Sequence, residues 1–189
     1  MTLAARTYVA LVHYPVYDRD RQLITTAITN LDIHDLARSS MTYGISGYHL
    51  ITPIAAQREL ASRILRHWTP GQGPASNDFR RQALERVEVL PSIEDSIARI
   101  TQIAGAPLVC ATSARSSGRA ISYGGLPKDP ALSGRPLLLL FGTGWGLAEE
   151  VVDRVDRVLA PIQGGAEYNH LSVRSAAAIV LDRLFGDRN

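Results

Sequence analysis

Two glycine-rich turns stand out, Phe141-Gly142-Thr143-Gly144-Trp145-Gly146-Leu147 and Pro161-Ile162-Gln163-Gly164-Gly165. The second runs on into a polar stretch, Tyr168-Asn169-His170-Leu171-Ser172. Glycine lets a backbone come close to a ligand and offer its N–H groups with no side chain in the way. Such turns suit capture of a small molecule by main-chain groups. A third polar turn, Thr112 to Arg115, follows an apolar run. A glycine turn serves equally well as a tight connection. The Gly142-x-Gly144-x-Gly146 spacing departs from the dinucleotide fingerprint, whose third glycine falls later. It also lacks the Lys-Ser/Thr ending of a phosphate loop, so neither NAD nor ATP is indicated.

The remaining reactive side chains are scattered. The sequence holds 5 histidines (His13, His34, His49, His67 and His170) and 1 cysteine, Cys110. None of the histidines is spaced from another as metal ligands are, so no metal site is expected. No Gly-x-Ser-x-Gly turn is present to present a nucleophilic serine. His170 reads as a capping or packing residue as readily as a ligand. Cys110 sits in an apolar run and reads as a buried thiol; one cysteine excludes an internal disulfide. Arg38, with Asp35 one turn before it, reads as a surface ion pair. Arg115 and Arg119 flank Ser116-Ser117-Gly118, a basic loop suited to phosphate or simply to solvent.

These turns need elements to hold them. Apolar runs predict strands at Thr7 to His13, Gly47 to Ile51, Arg86 to Leu90, Leu108 to Ala111, Leu137 to Phe141 and Arg157 to Leu159, with a short one at Ile121 to Tyr123. Helical spacing predicts helices from Asp32 to Gly44, from Thr52-Pro53 to Trp68, from Asp78 to Leu84, from Ser92 to Ala104 and from Ala148 to Asp153. Val173, Ala177, Val180 and Leu184 share one face of a last helix, with Asn169 where an N-cap belongs. Pro15 to Gln22, Thr69 to Asn77 and Gly124 to Gly134 read as loops. Strands alternating with amphipathic helices predict an α/β fold: a mainly parallel sheet with helices on both faces. The ligand-bearing turns then lie beyond the strands' carboxyl ends, where open α/β sheets bind ligands.

Hydrophobic residues make up 46% and charged residues 20% of 189, the balance of a soluble globular chain, read here as one domain, 1–189. No apolar run reaches membrane-spanning length, and the first residues lack a signal peptide's apolar core, so a cytoplasmic location is expected. The net charge of +2 does not by itself announce nucleic-acid binding, although a local patch remains open.

Three stretches taken together resemble the motifs of the SPOUT (SpoU/TrmD) class of RNA methyltransferases. Leu139 to Leu147 resembles the second motif. Ile162 to Ile179, with Asn169-His170-Leu171-Ser172-Val173-Arg174-Ser175, resembles the third. Asn30 to Arg38 is similar to the first, an Asn followed by an Arg on the first helix. Nearly the full length is similar to a bacterial family whose members occur alone or fused behind a TrmD-type tRNA guanine-N1-methyltransferase.

The resemblance implies a carboxyl-terminal trefoil knot, a homodimer, and S-adenosylmethionine as cofactor. Its cradle would be Thr112, Ser113, Leu140, Gly142, Thr143, Gly144, Ile162, His170, Leu171 and Ser172. It implies an RNA substrate, with tRNA expected, and 2′-O-ribose methylation ahead of base N-methylation. Arg38 would orient the hydroxyl, with Asn30 and Ser172 positioning nearby groups. Arg115, Arg119 and Arg80-Arg81 are candidate phosphate contacts. Two departures bear on the atom methylated. The second motif lacks its usual glutamate, and the first lacks its usual Asn-x-Gly and carries Asp32 and His34; a guanine-N1 reaction needs a carboxylate base, for which Asp32 or Asp35 would serve. The competing expectation is a non-catalytic SAM- or RNA-binding knotted module acting through a partner.

Overall fold

The structure, a computed structural model, describes residues 2–68, 78–115, 118–166 and 168–187. The predicted loop Thr69 to Asn77 and the Ser116-Ser117 pair lie outside the described residues.

A 7-stranded sheet organises the chain. Its strands are β1 (Thr7–Val12), β4 (Gly47–Ile51), β5 (Val87–Leu90), β6 (Leu108–Ala111), β7 (Ala120–Ile121), β8 (Leu137–Gly142) and β9 (Arg157–Leu159), in the spatial order β5-β4-β1-β8-β6-β9-β7. Every neighbouring pair is parallel. From β1 the chain builds outward through β4 and β5, then starts again on the other side. The order therefore reverses between β1 and β8, a switch point of the kind that opens a crevice at the carboxyl ends.

Strand sequences are continuous apolar runs because both faces are covered. All of β1 is buried, and its residues alternate between two cores, as a two-residue pleat requires. Val9 and Leu11 join Leu139 and Phe141 against α1 (Asn30–Thr42), α2 (Ala55–His67), α3 (Asp78–Leu84) and α6 (Val173–Phe185). Tyr8, Ala10, Val12, Leu138 and Leu140 meet α4 (Ile93–Ala104) and α5 (Glu149–Arg154) on the opposite face. Helices thus cover both faces, as expected. No helix among the described residues is long and apolar enough to cross a membrane.

Several predicted boundaries move. Thr29, not Asp32, opens α1: its hydroxyl accepts from the Asp32 N–H at 3.1 Å. Thr52-Pro53 precedes α2 rather than starting it, and the Ile54 cap there makes no side-chain bond. Ser92 caps α4 as the sequence indicates. The Pro15 to Gln22 loop contains β2 (Val16–Tyr17), which pairs with β3 (Leu23–Ile24) in a separate antiparallel ribbon, and Val16 is fully buried. Gly124 to Gly134 is tethered by the buried side chains of Leu126 and Leu132. The last helix is capped by Ser172, whose Oγ accepts from the Ser175 N–H at 3.2 Å, and not by Asn169.

Candidate active site

A cavity of about 1000 Å³ opens at the carboxyl ends of β6, β8 and β9. Its walls come from the turn after β6 (Thr112 to Arg115), the turn after β8 (Gly142 to Leu147), Ala160 and Ile162 after β9, and Tyr168 to Arg174 leading into α6. Thr26, Ala27 and Asp32, on the approach to α1 and in its first turn, close the remaining side. This size is at the upper end of pockets that enclose small ligands and cofactors.

The wall after β8 is fixed by backbone geometry. Gly144 has φ +57, and a Cβ there would lie 2.8 Å from the Tyr17 carbonyl oxygen. At Gly142 a Cβ would lie 2.6 Å from the Leu147 nitrogen. No side chain fits at either place without moving main chain. The ribbon clamps the turn from outside: Trp145 N–H donates to the Tyr17 carbonyl at 2.9 Å, and Tyr17 N–H to the Gly146 carbonyl at 3.0 Å. The two threonines are held by the sheet. Thr112 Oγ1 donates to the Leu140 carbonyl at 2.9 Å, and Thr143 Oγ1 to the Val12 carbonyl at 3.0 Å.

Behind Thr143 runs a buried polar chain. Thr143 uses its proton on Val12, so Thr26 Oγ1 must donate to Thr143 Oγ1, 2.5 Å away. Thr26 in turn accepts from His13 Nδ1 at 2.9 Å. These roles assign the neutral Nδ1–H tautomer to His13. Burial lowers its pKa to about 4, against an opposing pull from Asp32. Its Nε2 then carries a buried lone pair that finds no partner among the described residues.

Asp32 is the only carboxylate among the described residues that line the cavity. It is nearly buried and doubly held: Thr29 Oγ1 donates to one oxygen at 2.6 Å, and Arg174 Nη1 to the other at 2.7 Å. Arg174 Nε also faces Asp35 at 3.5 Å. One guanidinium from the third motif therefore bridges two carboxylates of the first.

Of the residues expected from the sequence, Thr112, Ser113, Gly142, Thr143, Gly144, Ile162, His170, Leu171 and Ser172 line the cavity. Leu140 does not. It points into the α4–α5 core, as strand alternation demands, and only its carbonyl serves the site. Asn30 and Arg38 are exposed and lie outside the lining, because Ile33, Leu36, Ala37 and Ser40 form the inward face of α1. Arg115 lines the cavity, whereas Arg81 is engaged by Asp78 and Glu85 and Arg119 by Asp153.

The sequence reading gave Arg174 no role. Its position is itself a signal: a cation in the first turn of a helix opposes the helix dipole unless a carboxylate stands nearby. Trp145 and Tyr168, which residue type and spacing do not single out, also line the cavity.

A family model described as SAM-dependent RNA methyltransferase matches residues 6–186. Over 181 residues the chain is 47% identical to the tRNA (guanine-N(1)-)-methyltransferase of Oleidesulfovibrio alaskensis, an alignment that takes in 95% of this chain and 42% of that protein. The chain therefore spans less than half the length of that relative. An uncharacterized protein of Aquifex aeolicus is 36% identical over 179 residues, covering 94% of this chain and 87% of its own length. Among solved structures, the TrmH/SpoU tRNA modifying enzyme of A. aeolicus superposes with a TM-score of 0.56 at 11% identity, over 95% of this chain and 74% of that one, a likeness of fold.

Proposed function

This chain belongs to the SAM-dependent RNA methyltransferases, in the SPOUT class, and we propose that it methylates a base nitrogen of tRNA from S-adenosylmethionine held in the cavity. The cavity fits that cofactor in size. The turn after β8 presents glycine backbone, with threonine and serine hydroxyls for the polar edges and Ile162 and Leu171 for apolar contact. The cofactor supplies a methyl group already activated on a sulfonium. What remains for the protein is to align the nucleophile and to take up its proton.

The observation that carries this reading is the Asp32–Arg174 pair at the cavity wall. A ring N–H, as at guanine N1, becomes cationic on gaining the methyl, and its proton becomes acidic and must leave. A carboxylate such as Asp32 then suffices as acceptor, and Thr29 and Arg174 hold it in place. Ser172 caps α6 and so sets where Arg174 emerges. Methylation of a ribose hydroxyl would instead draw on Arg38, which is exposed and outside the lining. Base N-methylation therefore takes precedence over 2′-O transfer. The guanine-N1 activity in the name of the O. alaskensis relative, a longer protein, supports the same order.

The proposal includes a cytoplasmic homodimer with one domain over 1–189 and a trefoil knot. In support of the knot, β9 lies between β6 and β7, and Asn169 Nδ2 reaches the Ala114 carbonyl, 3.5 Å away, in the segment joining those two strands. In support of the dimer, Leu31 and Leu171 present apolar surface at the start of α1 and at the cavity rim.

The test is calorimetric titration with S-adenosylmethionine, followed by transfer of tritiated methyl to unmodified tRNA and nucleoside analysis of the product. A methylated base is expected. Asp32→Asn should lower kcat by about 100-fold or more, the usual weight of a positioned acid or base, with cofactor affinity unchanged. Arg38→Ala should stay active. A 2′-O-methylated product whose formation is lost in Arg38→Ala would refute the base assignment. Cofactor binding with no transfer to any RNA would favour the non-catalytic module.

A further inference from the structure

Three rings stand in a row at the cavity mouth. Trp145, from the turn after β8, meets His170 edge-on with centroids 5.8 Å apart. Tyr168 meets the same imidazole at 5.4 Å and 64°. All three residues line the cavity, yet Trp145 is 51% and Tyr168 77% exposed. Large aromatic side chains left this open at a binding site are costly to solvate and mark a surface that something covers.

The turn does not need the indole. Its shape is set by the Trp145 and Gly146 backbone bonds to Tyr17 and Thr143 and by the flanking glycines. The indole is thus an appendage on a rigid backbone, which is how a stacking surface is pre-organised. Positive charge is present in the lining: Arg115, and Arg21, which also lies over the Tyr17 ring and 3.5 Å from Glu149. Exposed aromatic rings beside arginines are how proteins hold unpaired nucleic-acid bases, the ring taking the base face and the cation the phosphate.

We propose that Trp145 and Tyr168, braced by His170 between them, form a stacking platform for an unpaired base of the RNA substrate at the mouth of the cofactor cavity. The inference rests on the methyltransferase reading above, since it takes RNA as the ligand. It gives a recognition role to Trp145 and Tyr168, which are outside the expected cofactor cradle and the Asp32–Arg174 pair, with His170 of that cradle bracing them. A base extruded from a helix leaves its own stack, and the platform replaces that contact while the base edge enters the cavity.

The sequence contains 2 tryptophans, so Trp68→Phe makes Trp145 the only indole emitter. This variant is titrated with hexaadenylate, with hexauridylate, and with an abasic oligoribonucleotide of the same length. Each titration is run with and without saturating S-adenosylhomocysteine. The base-bearing oligomers should quench Trp145 emission saturably and bind at least about fivefold more tightly than the abasic one, the lower end of a base-stacking contribution. Trp145→Ala and Tyr168→Ala, in the otherwise natural chain, should weaken binding of unmodified tRNA by a larger factor than they weaken calorimetric affinity for S-adenosylmethionine. Trp145→Phe should restore much of the loss.

Equal affinity for abasic and base-bearing oligomers would overturn the platform. So would quenching by S-adenosylhomocysteine alone with no further change on adding RNA, which would assign the indole to the cofactor. If S-adenosylhomocysteine fails to bind, the cofactor reading falls, and the titration without it still decides the platform.

Discussion

Lowering the pH from 7.5 to 5.0 should cost the folded chain about 4 kcal/mol, through two buried histidines. His13 is fully buried and His49 nearly so, and burial lowers each pKa from 6.5 to about 4. His13 Nδ1–H donates to the Thr26 hydroxyl; His49 pairs with the buried Ser96 hydroxyl at 2.7 Å. Both folded values lie below the unfolded one. Between those limits the unfolded chain therefore binds protons that the folded chain refuses. Stability is full above about pH 6.5, falls as the pH drops, and levels off below about pH 4. At pH 5.0 each histidine contributes about 2 kcal/mol of loss by this linkage, a large part of the roughly 5–15 kcal/mol that holds a domain folded. His34, also lowered by burial, acts in the same direction. The depressed carboxylate of Asp129, beside Arg157, loses its contribution only at lower pH. Urea unfolding followed by circular dichroism at pH 7.5, 6.0 and 5.0 measures the effect. With a slope of about 2 kcal/mol/M the midpoint should fall by about 2 M. His13→Gln and His49→Gln should each remove about half of the pH dependence, whatever they cost at pH 7.5. A wild-type midpoint that moves by less than about 0.5 M would refute the neutral, desolvated assignment of these rings.

Gly142→Ala sets a Cβ against the Leu147 nitrogen. It should cost about 1–3 kcal/mol by urea unfolding and weaken S-adenosylmethionine binding at least about tenfold by calorimetry, as the cavity wall shifts. Gly124→Ala meets nothing within 4 Å and should leave both unchanged; equal effects from the two would refute the crowding argument. Cys110 is buried and its thiol is pushed up to about 12, so iodoacetamide at pH 8 should label the native chain only as fast as it unfolds. Rapid labelling without unfolding would show that β6 is open to solvent.

The strands and helices were legible because their signals are local. Burial on both faces makes β8 a continuous run of leucine, and helical spacing alone picks out Ile33, Leu36, Ala37 and Ser40, which the fold does turn inward. Caps were less legible. Asn169 and Ser172 both suit an N-cap by type, and only the path of the chain, which spends Asn169 on Ala114, leaves Ser172 at the helix start. The glycine turns could be read as a cradle because main-chain exposure is written in the glycines themselves. The partners within the site could not. Arg174 and Asp32 are 142 positions apart, and whether Arg38 or Arg174 enters the cavity depends on how α1 is rotated against α6. That rotation is set by the summed packing of both helices on the sheet, a long-range property that no local pattern encodes. By itself the sequence determined the sheet, the glycine turns at the carboxyl ends of its strands and the family. The tertiary structure alone decided which carboxylate and which guanidinium meet there, and that Trp145, His170 and Tyr168 stand together at the mouth.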